Sequence, residues 1–243
     1  MILLEKYIIV TGASSGIGRA IAMLLSNNYP LILCGLNSER LEETLTMCTN
    51  PDAHVFWNYD LADVENISKD LSALIKNKNI SIYGFVHSAG IAPLSPLNML
   101  TTSEMHNIMD VNFFSAAEIL KLISNRRVNG KNLKSVILIS SVASIKGTKG
   151  MSMYSASKGA IDAFVRSMAC ELAPNTRVNS INPGPVTTHN ESPIAIKSLQ
   201  DDCLLGLGEP NDIAHIVEFL INEKTKWVTG QNFIIDGGYS IHS

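Results

Sequence analysis

The sequence predicts an α/β chain: one doubly wound parallel sheet of about seven strands with helices on both faces. Three observations carry that reading. Short β-branched apolar runs alternate with segments whose apolar residues recur at helical spacing. Most of the runs are continuously hydrophobic rather than alternating, as strands covered on both faces must be. Strand, helix and strand in steady succession call for right-handed crossovers, which lay the strands parallel.

The first candidate strand, Tyr7 to Thr11, leads through a glycine-rich turn into a helix marked by Ile17, Ala20, Ile21, Leu24 and Leu25 at i, i+3, i+4, i+7 and i+8. Leu31 to Gly35 and His54 to Asn58 are the next strands, and Ile67, Leu71, Leu74 and Ile75 mark the helix returning to a fourth, Gly84 to Ser88. A long helix over roughly Ser103 to Arg126 precedes the fifth strand, Ser135 to Ser140. Ile161, Phe164, Val165, Met168 and Leu172 stripe a helix over Ser152 to Leu172, which leads to the sixth strand, Arg177 to Asn182. Ile213, Ile216, Val217 and Leu220 form the last helix, and Asn232 to Asp236 the seventh strand. No linker, repeat or low-complexity stretch divides residues 1–243, so one domain is expected. The one long irregular region, about 185–210, follows the sixth strand, where open α/β sheets place ligands, and reads as a substrate loop.

Composition bounds the function. With 46% hydrophobic and 17% charged residues the chain has ample apolar surface for a core, which excludes disordered and collagen-like classes. A net charge of -3 without basic blocks argues against a nucleic-acid partner. Ile2 to Leu4 is too short an apolar run for a signal-peptide core or a membrane span, so no membrane partner and a cytoplasmic location are expected. Cys34, Cys48, Cys170 and Cys203 show no CxxC spacing, so buried thiols are expected rather than a metal site or a disulfide framework.

The turn after the first strand reads Thr11-Gly12-Ala13-Ser14-Ser15-Gly16-Ile17-Gly18. Gly12 permits a tight turn, Gly16 lets backbone amides approach a pyrophosphate, and Gly18 lets the helix pack closely on the strand. The spacing is not the general dinucleotide fingerprint, but its place inside a βαβ pattern favours a nucleotide turn over a plain structural one. Leu36 and Asn37 follow the second strand, where an acid would bind a ribose 2′-hydroxyl and repel a 2′-phosphate. Arg40 either reaches a 2′-phosphate or is a solvated residue of the next helix. The balance leans to NADP(H), with NAD(H) open.

Tyr154 and Lys158 stand four residues apart, on one face of their helix. A phenol is a poor base at neutral pH. A nearby ammonium, helped by a cationic nicotinamide, favours the phenolate and is expected to bring its pKa toward the working range. Ser141 closes the fifth strand, where a hydroxyl can hold a substrate carbonyl oxygen or simply cap a turn.

Taken together, these motifs resemble the short-chain dehydrogenase/reductases along essentially the whole chain, from Thr11 to Gly18 through to Thr229-Gly230-Gln231 and Asp236-Gly237-Gly238. The resemblance implies a Rossmann-type domain that transfers hydride between a nicotinamide cofactor and a carbonyl or alcohol. It implies that Ser141 orients the carbonyl, that Tyr154 gives or takes the proton, and that Lys158 binds the nicotinamide ribose. Asn112 matches the family's helix asparagine, whose main chain helps hold a water linking Lys158 to solvent. Further implied cofactor residues are Ser14, Ser15 and Ile17 in the turn, Leu36 and Asn37, Asp60 and Leu61 at the adenine, Ala89 and Gly90 at the ribose, and Pro183, Gly184, Val186 and Thr188 at the carboxamide.

The departures are also informative. His87 opens the turn His87-Ser88-Ala89-Gly90, where the family usually has asparagine, and reads as a satisfied structural histidine. Ser15 and Leu36 stand where NADP-preferring members often carry a base.

Leu204 to Pro210 and the chain's ending look like 3-oxoacyl-(acyl-carrier-protein) reductase and its relatives, so a thioester is one expected small-molecule substrate. His189, Glu191, Lys197, Asp201 and Asp202 in the substrate loop favour a sugar or other small polar alcohol as the alternative. Arg126 and Arg127 either end the long helix as solvated cations or meet an acidic carrier. The resemblance also implies a homotetramer or homodimer through the long helices. A non-catalytic dinucleotide sensor or scaffold remains a reading from another class, although Tyr154 and Lys158 are both present. A P-loop hydrolase is excluded by the missing Gly-Lys-Ser/Thr.

Overall fold

A computed structural model of the chain describes residues 6–187 and 202–241. Seven strands form one sheet: β1 Lys6–Thr11, β2 Leu31–Gly35, β3 Val55–Asn58, β4 Ser81–His87, β5 Ser135–Ile139, β6 Arg177–Pro183 and β7 Asn232–Ile235. Their order is β3-β2-β1-β4-β5-β6-β7, and every pairing is parallel. Each candidate strand is present, with ends that agree to within three residues and coincide in β2. β4 starts at Ser81 rather than Gly84 because Lys6 and Tyr7 of β1 pair with Ser81 and Ile82.

The continuous apolar runs follow from burial on both faces. In β1, Ile9 belongs to one core layer while Ile8 and Val10 belong to the other. The first layer lies under α3 (Val64–Lys78), α5 (Ser115–Ser124) and α7 (Ser152–Leu172), through Ile67, Leu71, Ile119, Leu120, Ile161 and Val165. The second lies under α1 (Gly16–Leu25), α2 (Ser38–Met47) and an eighth helix, α8 (Pro210–Ile221), through Ile21, Leu25, Leu41, Ile213 and Val217.

The long helix expected over Ser103 to Arg126 is not continuous. α4 (Thr102–Met109) opens on a capping box between Thr101 and Glu104, and then widens into a π-helical turn over Asp110–Phe114 before α5 begins. α5 ends at Ser124, where Asn125 turns extended and its side chain accepts from Arg127 N–H at 2.9 Å. Arg126 and Arg127 therefore begin a short helix, α6 (Arg126–Asn129), rather than ending the long one. No helix among the described residues is long and apolar enough to cross a membrane.

The sheet reverses direction of growth between β1 and β4, so the connections leaving their carboxyl ends run to opposite faces and leave a crevice above the paired ends. On its β5 side, the start of β4 before Gly84 is paired by the buried side chain of Asn129. Its Oδ1 accepts from Ile82 N–H at 2.8 Å, and its Nδ2 donates to Ile82 O at 2.8 Å and Ile123 O at 3.1 Å. Asn129→Ala leaves those groups unpaired and is expected to lower the unfolding free energy by about 1–3 kcal/mol, read by urea melts.

Candidate active site

A cavity of about 800 Å³ occupies the crevice at the carboxyl ends of the strands. Its floor at one end is the turn between β1 and α1, where Gly12, Ser14, Ser15, Gly16, Ile17 and Gly18 all face it. Two backbone features force glycine here. Gly12 has φ +67° and a side chain on it would lie 2.8 Å from Ala89 N; one on Gly18 would lie 2.1 Å from Gly12 O. The turn thus presses both on the β4 turn and on its own helix, leaving open space above it.

Arg19 fastens this turn, a role the sequence reading did not assign. Its guanidinium donates to Ser14 O at 2.7 Å, Arg40 O at 3.2 Å, Glu43 Oε2 at 2.9 Å and Thr44 Oγ1 at 2.9 Å. Leu36, Asp60, Leu61, Ala89 and Gly90 line the same end of the cavity. Asn37 does not. Its side chain accepts from Arg40 N–H at 2.8 Å and so caps α2, which is the ordinary task of an asparagine at that position. Thr188, His189, Glu191, Lys197 and Asp201 lie outside the described residues.

At the other end, Ser141, Tyr154, Lys158, Pro183, Gly184 and Val186 line the cavity together. Ser141 follows β5, and its Oγ accepts from Ala143 N–H at 3.1 Å. The same hydroxyl acts on the Tyr154 phenol, favouring its ionised form. Lys158 is buried one turn beyond Tyr154 on α7. Its Nζ donates to Ile139 O at 2.8 Å and lies 5.7 Å from the centre of the tyrosine ring. Burial pushes the ammonium's pKa down to about 8, opposed by Asp162.

The expectation of a lowered tyrosine pKa concerns a site that also holds a cationic nicotinamide; the side chains by themselves act the other way. Burial of Tyr154 raises its pKa above the ordinary tyrosine value and outweighs the influence of Ser141. The side chains of this chain therefore keep the phenol protonated, in its proton-donating form, at neutral pH.

Asn112 does not line the cavity either. It is fully buried in the π-helical turn. Its Oδ1 accepts from Ile91 N–H at 2.8 Å, while its Nδ2 donates to Ile91 O at 3.0 Å and Ser157 Oγ at 3.0 Å. Ser157 Oγ in turn donates to Tyr154 O at 2.7 Å. The side chain is thus a brace between the β4 loop and the tyrosine's helix.

The structure adds cavity residues that the sequence reading missed, notably Ile91, Lys146, Met151 and Tyr239. Lys146 Nζ donates to Tyr239 O at 3.0 Å and sits 3.7 Å above its ring. Neither residue carries a motif. They meet because the segment after Ser141 and the segment after β7 flank the same strand ends.

A family model described as enoyl-(acyl carrier protein) reductase matches residues 12–240. The chain belongs to the short-chain dehydrogenase/reductase family. It is 30% identical to carbonyl reductase family member 4 of Xenopus laevis over 98% of this chain and 100% of that one. It is 29% identical to the 3-oxoacyl-[acyl-carrier-protein] reductase of Chlamydia pneumoniae over 97% of each. The solved structure of 4-hydroxyisoleucine dehydrogenase complexed with NADH and succinate superposes with a TM-score of 0.87 at 28% identity, over 96% of this chain and 99% of that one. This short-chain dehydrogenase/reductase is an NAD(P)-dependent oxidoreductase acting on alcohols and carbonyls.

Lys158 makes the family site costly to fold. Its pKa is about 8 in the folded protein against an ordinary 10.5, so between those values the unfolded chain binds a proton that the folded chain lacks. Stability from this group therefore rises with pH through that window. Urea melts of wild type and Lys158→Met are expected to converge in favour of wild type by up to about 3 kcal/mol as pH rises from 8 toward 10.5. A pH-independent difference would remove the buried ammonium from its assigned state.

Proposed function

We propose that this enzyme interconverts a ketone and a secondary alcohol on a substrate with an apolar body, using NADP(H) by preference. The observation that carries the catalytic part is the convergence of Ser141, Tyr154 and Lys158 at one end of a cavity whose other end is the glycine turn. The cradle fits a dinucleotide, since side chains on Gly12 or Gly18 would collide with backbone and the open backbone suits a pyrophosphate. Ser14, Ser15, Gly16 and Ile17 would hold the phosphates, Leu36, Asp60 and Leu61 the adenosine, and Ala89 and Gly90 the ribose. Pro183, Gly184 and Val186, with Thr188 beyond the described residues, would hold the nicotinamide.

When bound, the nicotinamide supplies or accepts the hydride. In the reductive direction Ser141 donates a hydrogen bond to the substrate carbonyl, and Tyr154 O–H lies ready to protonate the oxygen as charge develops on it. The buried Lys158 ammonium then stabilises the phenolate left behind, and the low-dielectric surroundings strengthen that effect. Asn112 keeps Tyr154 in place from behind.

For the cofactor, the absence of a carboxylate on Leu36 and Asn37 and the nearby Arg40 favour a 2′-phosphate. For the substrate, exposed leucines flank the cavity. Leu94 packs beside Gly150, and Leu204 and Leu205 lie against Gly238 and Gly237, next to the cavity residues Met151 and Tyr239. All three leucines are exposed, Leu205 to 87%. A ketone on an alkyl chain or an acyl thioester would cover them, which a sugar would do less well. The segment of about 185–210 serves as the substrate loop in this reading. Its ends are tied beside the cavity by Thr187 N–H to Gly208 O at 2.9 Å and Gly208 N–H to Pro185 O at 3.0 Å.

A homotetramer or homodimer fits the exposed Phe219, Trp227 and Ile234 around the edge strand β7, with Trp227 96% exposed; sedimentation equilibrium reads the assembly directly. A cytoplasmic location fits the four free cysteines.

The testing experiment is a titration with NADPH and NADH followed by turnover of a panel holding 2-octanone, an acetoacetyl thioester and a keto-sugar. Tighter NADPH binding and faster reduction of the first two are expected; preference for the keto-sugar overturns the apolar reading, and preference for NADH the cofactor reading. Tyr154→Phe is expected to lose at least about a hundredfold in kcat while NADPH affinity stays within about twofold. Near-normal turnover in that variant would remove the phenol from its role, and binding without turnover by the wild type would favour a sensor.

A further inference from the structure

Among the described residues, one buried side-chain polar atom has no hydrogen-bond partner: Nε2 of His87. His87 ends β4 and is fully buried. Its Nδ1 lies 2.9 Å from Thr11 Oγ1. That oxygen already accepts from Ser88 N–H at 3.2 Å and from Ala89 N–H at 3.3 Å. A hydroxyl has two acceptor lone pairs and one hydrogen, so its hydrogen goes to Nδ1. The ring proton is then on Nε2.

The imidazole is also neutral. Burial, helped by the Lys158 cation, pushes its pKa down to about 3. Nε2–H is therefore a donor in a closed interior, the setting in which an unmade hydrogen bond is most costly. The acceptors that act on the ring are the main-chain groups of Asn112 and Val111, although neither completes a hydrogen bond. Both belong to the π-helical turn Asp110–Phe114, where the i→i+5 pairing of Ser115 N–H with Asp110 O displaces the regular ladder. A side chain on Gly90 would lie 3.4 Å from both Asn112 Oδ1 and Lys158 Nζ, so the β4 turn, this π turn and the lysine meet at one point.

We propose that His87 is a positioning residue: it presents Nε2–H to the main chain of Val111 and Asn112 and so seats the Asn112 brace behind Tyr154. One step of the chain, from His87 Nε2 to the π turn, is not closed by a hydrogen bond, and it is the step proposed here. Thr11 and the glycine turn fix His87, His87 faces the π turn, Asn112 holds Ile91 and Ser157, and Ser157 holds Tyr154 O. With that step made, the nucleotide turn and the proton donor share one linkage. The histidine has a task that a merely space-filling side chain could not perform, because it needs both a ring acceptor toward Thr11 and a donor on the opposite side.

Two measurements test this. In ¹⁵N-histidine NMR of the whole enzyme, with the His87 signals assigned by their loss in His87→Gln, the expected pattern is a neutral ring with the proton on Nε2. A proton on Nδ1, or a ring charged at pH 6, overturns the proposal. This arm needs no substrate. The kinetic arm rests on the oxidoreductase reading and uses NADPH with 2-octanone, or with the fastest ketone of the panel if 2-octanone is not turned over. His87→Phe keeps an aromatic ring without a donor, and His87→Gln keeps an N–H donor. The phenylalanine variant is expected to lose about tenfold in kcat with its KM for NADPH within about twofold, and the glutamine variant to recover most of that loss. Unchanged kcat in the folded phenylalanine variant, or equal losses in the two variants, overturns it.

Discussion

The close approach of the β1 and β4 turns is the constraint on which the rest of the site depends. Gly12 lies so near Ala89 that a single methyl group would collide with the backbone, and Gly18 lies equally tight on Gly12. Thr11 locks the contact, its hydroxyl receiving the N–H groups of Ser88 and Ala89 and meeting His87. Because parallel strands offer their free carboxyl ends in the same direction, fixing these two turns fixes where the crevice opens. The nucleotide end of the cavity, the seat of Asn112 and the direction of α7 all follow from it.

The catalytic end is arranged by burial as much as by proximity. Lys158 is held in the interior by Ile139 O and by the field of Asp162, and pays for its charge in a lowered pKa. Tyr154 is pushed the other way, toward its neutral form. The two shifts share a cause, since a low-dielectric interior disfavours either charged species alone. The pair therefore stands as a protonated phenol beside a buried cation, an arrangement suited to protonating an alkoxide as it forms.

The fold was legible because burial on two faces leaves a plain mark, and the seven apolar runs lie within a few residues of the seven strands. The glycine turn, Ser141, Tyr154 and Lys158 were legible because each needs a particular residue at a fixed interval from an element end. Asn37 and Asn112 are different, because their side chains turn away from the cavity to satisfy backbone groups. The π turn left no sequence signal, since it rests on one displaced hydrogen bond. Lys146 and Tyr239 come from distant parts of the chain and meet only at the cavity wall.

The sequence by itself determined the alternation of elements, the parallel sheet and the identity of the reactive side chains, because those properties are set by local spacing and by which residues can be buried. Tertiary structure alone decided which side chains face the cavity, the protonation preferences of Tyr154 and Lys158, and the meeting of His87 with the π turn. These depend on which distant groups exclude water from one another, and chain spacing carries no record of that.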